Sequence, residues 1–119
     1  MFRGRTAFYD RAGRMTSARL VLTTTGDRRE AKRIAHTLVT ERLAACVNIV
    51  DRVHSIYRWK DAVESSDEVL LLIKTEQDRV EALRTRLHEL HSYELPEFLV
   101  LHVAEGSSAY LDWVGSCVR

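Results

Sequence analysis

The sequence predicts a small α+β domain in which two helices cover one face of a four-stranded sheet. Three observations lead to this fold class. Runs of β-branched, aromatic and apolar residues alternate with two amphipathic helical segments in the order βαββαβ. Gly26, Pro96 and Gly106 fall between these segments, where glycine and proline mark turns. The length of 119 residues is enough for one domain with its own core.

A glycine separates the first strand from the first helix. The run ARLVLTT, Ala18 to Thr24, predicts an apolar strand that ends before Gly26. Asp27 has the position of a helix N-cap, and Glu30, three residues later, would complete a capping box. Apolar residues then recur at helical spacing, which predicts the core-facing side of the helix: Ala31, Ile34, Ala35, Leu38 and Val39.

A long β-hairpin is predicted next. Residues 45–59 (ACVNIVDRVHSIYRW) predict one strand with a bend near Asp51 and Arg52. Residues 60–62 form the turn, and residues 62–75 return as a second strand ending in EVLLLIKT. Fifteen extended residues span about 50 Å, whereas a compact chain of this size has a diameter of about 35 Å. The hairpin is therefore expected to overhang the domain.

The second helix is expected to begin after caps at Thr75 and Asp78 and to run to about His91. Its core side is predicted from the apolar spacing: Val80, Leu83, Leu87 and Leu90.

A fourth strand and a short final helix complete the chain. The connection SYELPE contains Pro96, Phe98 to Val103 forms the strand, and Ser107 begins the helix after Gly106. The order βαββαβ with a terminal helix is that of the ferredoxin-like fold, a two-layer sandwich.

The third strand is apolar on both faces. Val69, Leu71 and Ile73 point to one side, and Leu70 and Leu72 point to the other. Two helices cover one face only, so the opposite face would be a large exposed apolar patch on a single chain. The sequence therefore predicts an obligate oligomer of identical chains.

Two aromatic residues near the hairpin tip have two interpretations. Tyr57 and Trp59 could anchor an interface between copies. They could equally form a local pair that stabilises the hairpin.

Charge is concentrated at the N-terminus. Residues 1–15 carry four arginines and one aspartate, so a net charge of +1 for the whole chain leaves 1 − (4 − 1) = −2 for residues 16–119. We interpret residues 1–15 as a disordered basic tail, or an overlong start with Met15 as the natural first residue, and residues 16–119 as the domain; a targeting peptide is the alternative. A nearly neutral body gives no general affinity for nucleic acid.

Cysteine usage and hydropathy bear on location. Cys46 and Cys117 are far apart in sequence with no CxxC motif, which is typical of a reducing compartment and favours the cytoplasm. No apolar run approaches the roughly 20 residues of a membrane-spanning helix.

The densest polar cluster follows the second helix. His88 and His91 are three residues apart and could share a metal, with Tyr93, Glu94 and Glu97 close behind. The alternative is that both histidines interact with the helix C-terminus.

Lys74, at the end of an apolar strand, is expected either to reach solvent or to pair with Glu94 or Glu97. No Ser-His-Asp spacing, phosphate-binding glycine loop or HExxH motif occurs, so we expect no enzyme.

Several motifs together resemble one family. ERLAACVNIV, SIYRW, EVLLLIKT, HSYELPE and AYLDW are similar, in order and spacing, to the CutA divalent-cation tolerance family over about residues 17–115. The resemblance implies a tight homotrimer with hairpins embracing neighbouring subunits. It also implies a role in tolerance of copper and other divalent metals. The family's architectural likeness to PII signalling proteins supports the alternative of a signalling or structural trimer that recognises a protein partner or small anionic ligand.

The resemblance also implies a ligand cleft between subunits. Its residues in this chain would be Tyr57, Trp59, Lys74, His91, Tyr93, Glu94, Glu97 and Trp113. If a copper-type ion binds, Cys46, His91 and Glu94 are the expected ligands.

Three positions depart from the family pattern. Ser92 stands where the family often has proline, so that connection is expected to be looser. Asp61 stands where the hairpin turn usually has glycine, and Thr23, Thr24 and Thr25 replace a cysteine of some members, which weakens any copper(I) site built from thiolates.

Overall fold

The computed structural model describes residues 16–119, so the predicted basic tail lies outside the described residues. The α+β class and the βαββαβ order are confirmed. The elements are β1 (Ala18–Thr25), α1 (Arg28–Thr40), β2 (Cys46–Trp59), β3 (Ala62–Glu76), α2 (Val80–Leu90), β4 (Leu99–His102) and α3 (Ser108–Cys117).

The four strands form one antiparallel sheet in the order β2-β3-β1-β4. Alternate residues of β1 and β3, including Val21, Leu71 and Ile73, are fully buried on the face that α1 and α2 cover. The helices contribute fully buried aliphatic side chains to the same core: Ile34, Leu38, Leu83 and Leu87. No helix of residues 16–119 has the length and apolar character needed to cross a bilayer.

Helix α1 begins at its predicted cap, but only half of the capping box forms. The Asp27 carboxylate accepts a hydrogen bond from the Glu30 amide at 2.8 Å. The Glu30 carboxylate turns away to Ser92 instead. Val39, predicted as core, is 41% exposed, because the i+8 position lies about 80° around the helix from Ala31.

The predicted caps of α2 are wrong. Thr75 lies inside β3, and its hydroxyl donates to the carbonyl of Leu43 at 2.8 Å. The pairing of β1 with β3 extends to Ala18 and Glu76, so the strand continues through the expected cap. A single 3-10 turn, Gln77–Arg79, then leads into α2 without a side-chain cap at either start.

The hairpin has the predicted bend. The register between β2 and β3 shifts between Val50 and Val53, and Arg52 has a φ of 62°. This is the geometry of a β-bulge. At the tip, Lys60 and Asp61 have φ values of 50° and 66°, so Asp61 adopts the left-handed conformation that glycine would take more easily.

The hairpin overhangs the domain, as predicted. Its outer residues Ile56 and Val63 are 70% and 68% exposed. The chain extends 47 Å along its longest axis and 23 Å along its shortest, with a radius of gyration of 15.9 Å. A compact domain of the described length would have a radius of gyration of about 13 Å.

The sheet face opposite α1 and α2 is apolar. In the strand registers Leu22 lies opposite both Leu72 and Leu99, and Leu20 lies opposite Leu101, so these side chains point to the same side. We call this surface the open face; its apolar residues are Leu20, Leu22, Leu70, Leu72, Leu99 and Leu101. Leu99 and Leu101 remain 54% and 42% exposed in a single chain. Within residues 16–119 this apolar sheet face is therefore left partly exposed, as predicted.

A buried threonine gives the first testable prediction. Thr23 is fully buried, and within residues 16–119 its hydroxyl has no hydrogen-bond partner. Thr23→Val should raise the free energy of unfolding by about 1 kcal/mol, because it removes an unpaired buried hydroxyl without changing the side-chain volume much. Urea unfolding at a fixed chain concentration measures the change.

Thr75→Val is the matched control, since Thr75 is equally buried but its hydroxyl bonds to Leu43. This control should lose about 1 to 2 kcal/mol. Equal destabilisation by both variants would show that the Thr23 hydroxyl is satisfied in solution.

Candidate functional site

A groove of about 790 Å³ lies between the hairpin and the segment that follows α2. Its walls come from β2, from β3 and from residues 93–97. The described lining residues are Thr24, Ser55, Ile56, Tyr57, Trp59, Glu64, Ser66, Glu68, Tyr93, Glu94, Leu95, Pro96 and Glu97. We call it the hairpin groove.

Side chains alternate between the two faces of β3, and two carboxylates on one face belong to the groove. Glu64, Ser66 and Glu68 point to one face of the strand, and that face continues into Leu70 and Leu72 of the open face. The hairpin groove is thus an acidic extension of the apolar open face.

The facing strand β2 adds the aromatic wall of the groove. Tyr57 lies directly opposite Glu64, and its hydroxyl is 3.3 Å from the Ser66 hydroxyl.

His91 anchors the segment that closes the groove. Its side chain is buried, and Nε2 donates a hydrogen bond to the carbonyl of Thr24 at 2.7 Å. The Tyr93 amide donates to Nδ1 at 3.0 Å. A carbonyl only accepts and an amide N–H only donates, so these partners require the neutral imidazole with its proton on Nε2. Neither ring nitrogen is free to bind a metal unless one of these bonds breaks.

Glu30 and Ser92 form a clasp between α1 and the same segment. The Glu30 carboxylate accepts from the Ser92 amide at 2.8 Å and from the Ser92 hydroxyl at 3.0 Å. A proline at this position has no N–H to donate. The prediction of a looser connection at Ser92 is therefore wrong, because the serine makes two bonds to a charged acceptor.

Tyr93 and Glu68 join this segment to the hairpin. The Tyr93 hydroxyl donates to Glu68 Oε2 at 2.8 Å. Burial, together with this bond to a carboxylate, raises the pKa of Tyr93, so the hydroxyl stays protonated as a donor. The ring of Tyr93 also packs at a tilt on His91, with centroids 4.7 Å apart.

The hairpin groove carries uncompensated negative charge. Its described lining includes four glutamates and no lysine, arginine or histidine. Burial and then the nearby charge of Glu68 raise the pKa of Glu97 above its usual value. Burial removes water from the carboxylate and Glu68 repels its charge, so both effects favour the protonated form of Glu97. Such a groove attracts cations.

The other predicted cleft residues lie towards the opposite end of the open face. The Lys74 ammonium donates to the Tyr110 hydroxyl at 3.3 Å and lies 5.6 Å from the centre of that ring. Trp113 packs against Tyr110 with ring centroids 5.4 Å apart, and Cys46 is the strand partner of Lys74. The predicted pairing of Lys74 with Glu94 or Glu97 does not occur within one chain.

The predicted metal ligands are likewise not brought together. His88 is exposed and its Nδ1 donates to the carbonyl of Arg84, whereas His91 is buried, so the two histidines do not share a site. In the part of the chain that the structure describes, no three His, Cys, Asp or Glu side chains are placed to hold a metal. Cys46, His91 and Glu94 therefore form no metal site within one chain.

Three glutamates of the site are not predicted from the sequence. Glu64 and Glu68 are predicted only as part of the strand, although their spacing of four already places both on one face. Glu30 is predicted as part of a local cap, and its contact with Ser92, 62 residues away, has no signal in the local sequence.

Comparison with known proteins places these features in context. Residues 19–117 match the family model described as CutA1 divalent ion tolerance protein. The chain is similar to the divalent-cation tolerance protein CutA of Thermus thermophilus, with 47% identity over 95 residues that cover 80% of this chain and 92% of the relative. A solved structure of the Cut A1 protein of Thermus thermophilus superposes with a TM-score of 0.84 at 44% identity, covering 86% of this chain and 99% of that one.

A plant relative is longer than the matched region. The chain is 40% identical over 100 residues to the chloroplastic protein CutA of Arabidopsis thaliana, covering 84% of this chain and 55% of that protein. The chain thus spans about half the length of this relative.

The clasp gives the second testable prediction. Glu30→Ala should lower the free energy of unfolding by about 2 kcal/mol, because two hydrogen bonds to a carboxylate are lost. Ser92→Ala should cost less, since the amide of residue 92 still bonds to Glu30. Urea unfolding at a fixed chain concentration is the measurement.

Glu81→Ala provides the control, because the Glu81 side chain on α2 is 84% exposed and should contribute little. A Glu30→Ala variant as stable as this control would contradict the clasp.

Proposed function

The chain belongs to the CutA1 divalent ion tolerance protein family, and we propose that it works as a homotrimer whose hairpin grooves bind a divalent cation. The role is binding rather than catalysis. The observation that carries the proposal is the hairpin groove itself, with four glutamates and no basic residue in its described lining.

The open face supports assembly. Six leucines lie on it in register, and two of them remain about half exposed in one chain. Burial of apolar surface contributes about 25 cal/mol per Å², and soluble monomers rarely leave such a contiguous patch in water. Identical neighbours that pack on the open face would also meet the overhanging hairpin, whose edge needs pairing or cover.

The donor chemistry favours a hard divalent cation. Carboxylate oxygens suit Mg²⁺, Ca²⁺ and Mn²⁺, whereas copper ions prefer imidazole and thiolate. Both nitrogens of His91 are engaged in hydrogen bonds, and Cys46 lies beside Lys74 away from the groove. No three carboxylates of the described residues converge within one chain. We therefore propose that the cation is held by one or two of the groove glutamates, with water completing its coordination, rather than by the predicted copper set of Cys46, His91 and Glu94.

Titration calorimetry with Mn²⁺ tests the cation site and gives the third prediction. Glu64→Gln and Glu68→Gln should each weaken Mn²⁺ binding by about tenfold, equivalent to about 1.4 kcal/mol, because each removes one of the groove charges. The amide oxygen that Glu68→Gln introduces can still accept the bond from Tyr93, so the groove should keep its shape. His91 is not one of the proposed ligands, so His91→Ala should remove no ligand of Mn²⁺.

Glu81→Gln is the control, since it removes an equal charge from the exposed face of α2. Absence of saturable Mn²⁺ binding would sink the proposal. Binding of Cu²⁺ that is lost in His91→Ala would instead support the copper site predicted from the sequence.

A structural or PII-like signalling trimer is the second candidate. The engagement of His91, Ser92 and Tyr93 in hydrogen bonds that hold the fold together favours it. Under this alternative, Glu97→Ala would lower the melting temperature and leave cation affinity unchanged.

We also propose a cytoplasmic location, because Cys46 and Cys117 are both free thiols, as in a reducing compartment.

A further inference from the structure

We propose that the exposed side of α1 binds an acidic peptide segment of a partner protein. This side consists of Arg29, Lys32, Arg33 and His36, and we call it the basic stripe. The inference goes beyond the proposed function, because the basic stripe belongs to the helix layer, on the other side of the sheet from the open face. It depends neither on the assembly of identical chains nor on the cation site.

The helical period places the members of the basic stripe on one side of α1. Residues three, four and seven positions after Arg29 lie within about 60° of it around the helix axis. All four side chains are exposed, whereas the fully buried Ala31, Ile34 and Leu38 lie on the other side of the helix. The stripe is about 10 Å long, since an α-helix rises about 1.5 Å per residue. It is therefore a continuous basic surface that points away from the core.

The charges of the basic stripe are not neutralised within the domain. Within residues 16–119, Arg29, Lys32 and Arg33 form no ion pair with a carboxylate. Arg33 donates a hydrogen bond to the backbone carbonyl of Leu90 at 3.0 Å, which carries no formal charge. Three permanent positive charges thus face solvent along two turns of one helix.

The acidic residues in and beside α1 are engaged elsewhere. Asp27 accepts a hydrogen bond from the Glu30 amide at the N-cap, and the Glu30 carboxylate holds Ser92. Glu41 accepts two hydrogen bonds from Arg86 of α2, at 2.9 and 3.0 Å. No other carboxylate occurs in residues 27–41, so α1 does not supply a counter-charge for the stripe.

Helix α2, in the same layer, has a surface whose charges are balanced. Glu81 pairs with Arg84 at 3.4 Å and Arg86 pairs with Glu89 at 3.2 Å, each three residues apart. Its first turn has an acidic residue and its last turn a histidine, which is the order that the helix dipole favours. In α1 the basic residues occupy the first half instead, and the last turn has none. Solubility alone does not require the arrangement in α1, since α2 achieves exposure with paired charges.

The basic stripe opposes the stability of the helix that carries it. Positive charges three and four residues apart on a helix repel each other, and cations near the N-terminal end oppose the helix dipole. Within residues 16–119 no ion pair offsets this repulsion at the stripe. Residues that work against their own secondary structure without a compensating contact are expected at functional sites.

An acidic peptide segment fits the basic stripe better than a bilayer or a nucleic acid does. Guanidinium groups bind carboxylates through paired hydrogen bonds, and three or four extended residues span about 10 Å. The stripe contains no apolar side chain that would enter a bilayer. Residues 16–119 have a net negative charge, so a long polyanion would be repelled beyond the stripe.

Fluorescence anisotropy with a fluorescein-labelled octaglutamate peptide tests the proposal on the full chain. Arg29→Gln/Lys32→Gln should bind the peptide about tenfold more weakly than the parent, because two of the three permanent charges are lost. The same double variant should melt at the parent temperature or above it, since repulsion within α1 is relieved. Unchanged affinity for the peptide would overturn the proposal. A lower melting temperature would also overturn it, because the stripe would then serve the fold.

A matched control removes two positive charges elsewhere in the chain. Arg3→Gln/Arg5→Gln makes the same change of charge in residues 1–15. This control should bind the peptide within about twofold of the parent, because charges that do not contact a ligand act on it only through the screened field. An equal loss in the two double variants would show that net charge, rather than the basic stripe, holds the peptide, and the proposal would fail.

Two competitors decide the class of partner. Unlabelled octaglutamate should displace the labelled peptide more effectively than the same charge concentration of oligothymidylate or of vesicles of phosphatidylserine and phosphatidylcholine. Stronger displacement by the vesicles or the oligothymidylate would overturn the acidic segment as the occupant. A monomeric parent, or a parent that binds no Mn²⁺, would contradict the proposed function and leave this inference standing.

Discussion

The constraint on which the rest of the structure depends is the burial of β3 from both sides. Its odd-numbered residues, such as Leu71 and Ile73, are sealed beneath α1 and α2. Its even-numbered residues, such as Leu70 and Leu72, face the opposite side, where they are only partly buried within residues 16–119. Apolar surface in water is unfavourable, and this is the physical basis of the proposed assembly of identical chains. The exposed hairpin and the acidic groove adjoin this apolar face, so any chain that packs on the face would contact them as well.

Features set by local chemistry could be predicted from the sequence. Neighbouring residues determine the N-cap at Asp27, the bend at Asp51–Arg52 and the apolar alternation of β3. The structure confirms all three predictions. Errors arose where a distant partner decided the outcome. Thr75 looked like a cap, but pairing with β1 kept it in the strand. Glu30 looked like part of a capping box, but Ser92 captured its carboxylate through the tertiary fold.

The site shows the same division between local and distant effects. The sequence identified several of the residues that line the groove, including Tyr57, Tyr93 and Glu97. The family resemblance adds Lys74 and His91 to a cleft between subunits; within one chain His91 is an internal anchor and Lys74 lies towards the other end of the sheet. Local spacing reveals which face a side chain occupies, whereas the partner of that side chain depends on three-dimensional packing and, in an assembly, on other chains.

The central claim is that water is kept from the open face by identical chains, and light-scattering measurement of the molar mass tests it most directly. The purified chain should have three times its single-chain mass from micromolar concentration upwards, and Leu72→Glu should abolish that assembly because it would bury a charge without a partner. A parent chain that stays monomeric and soluble at high concentration would contradict the account.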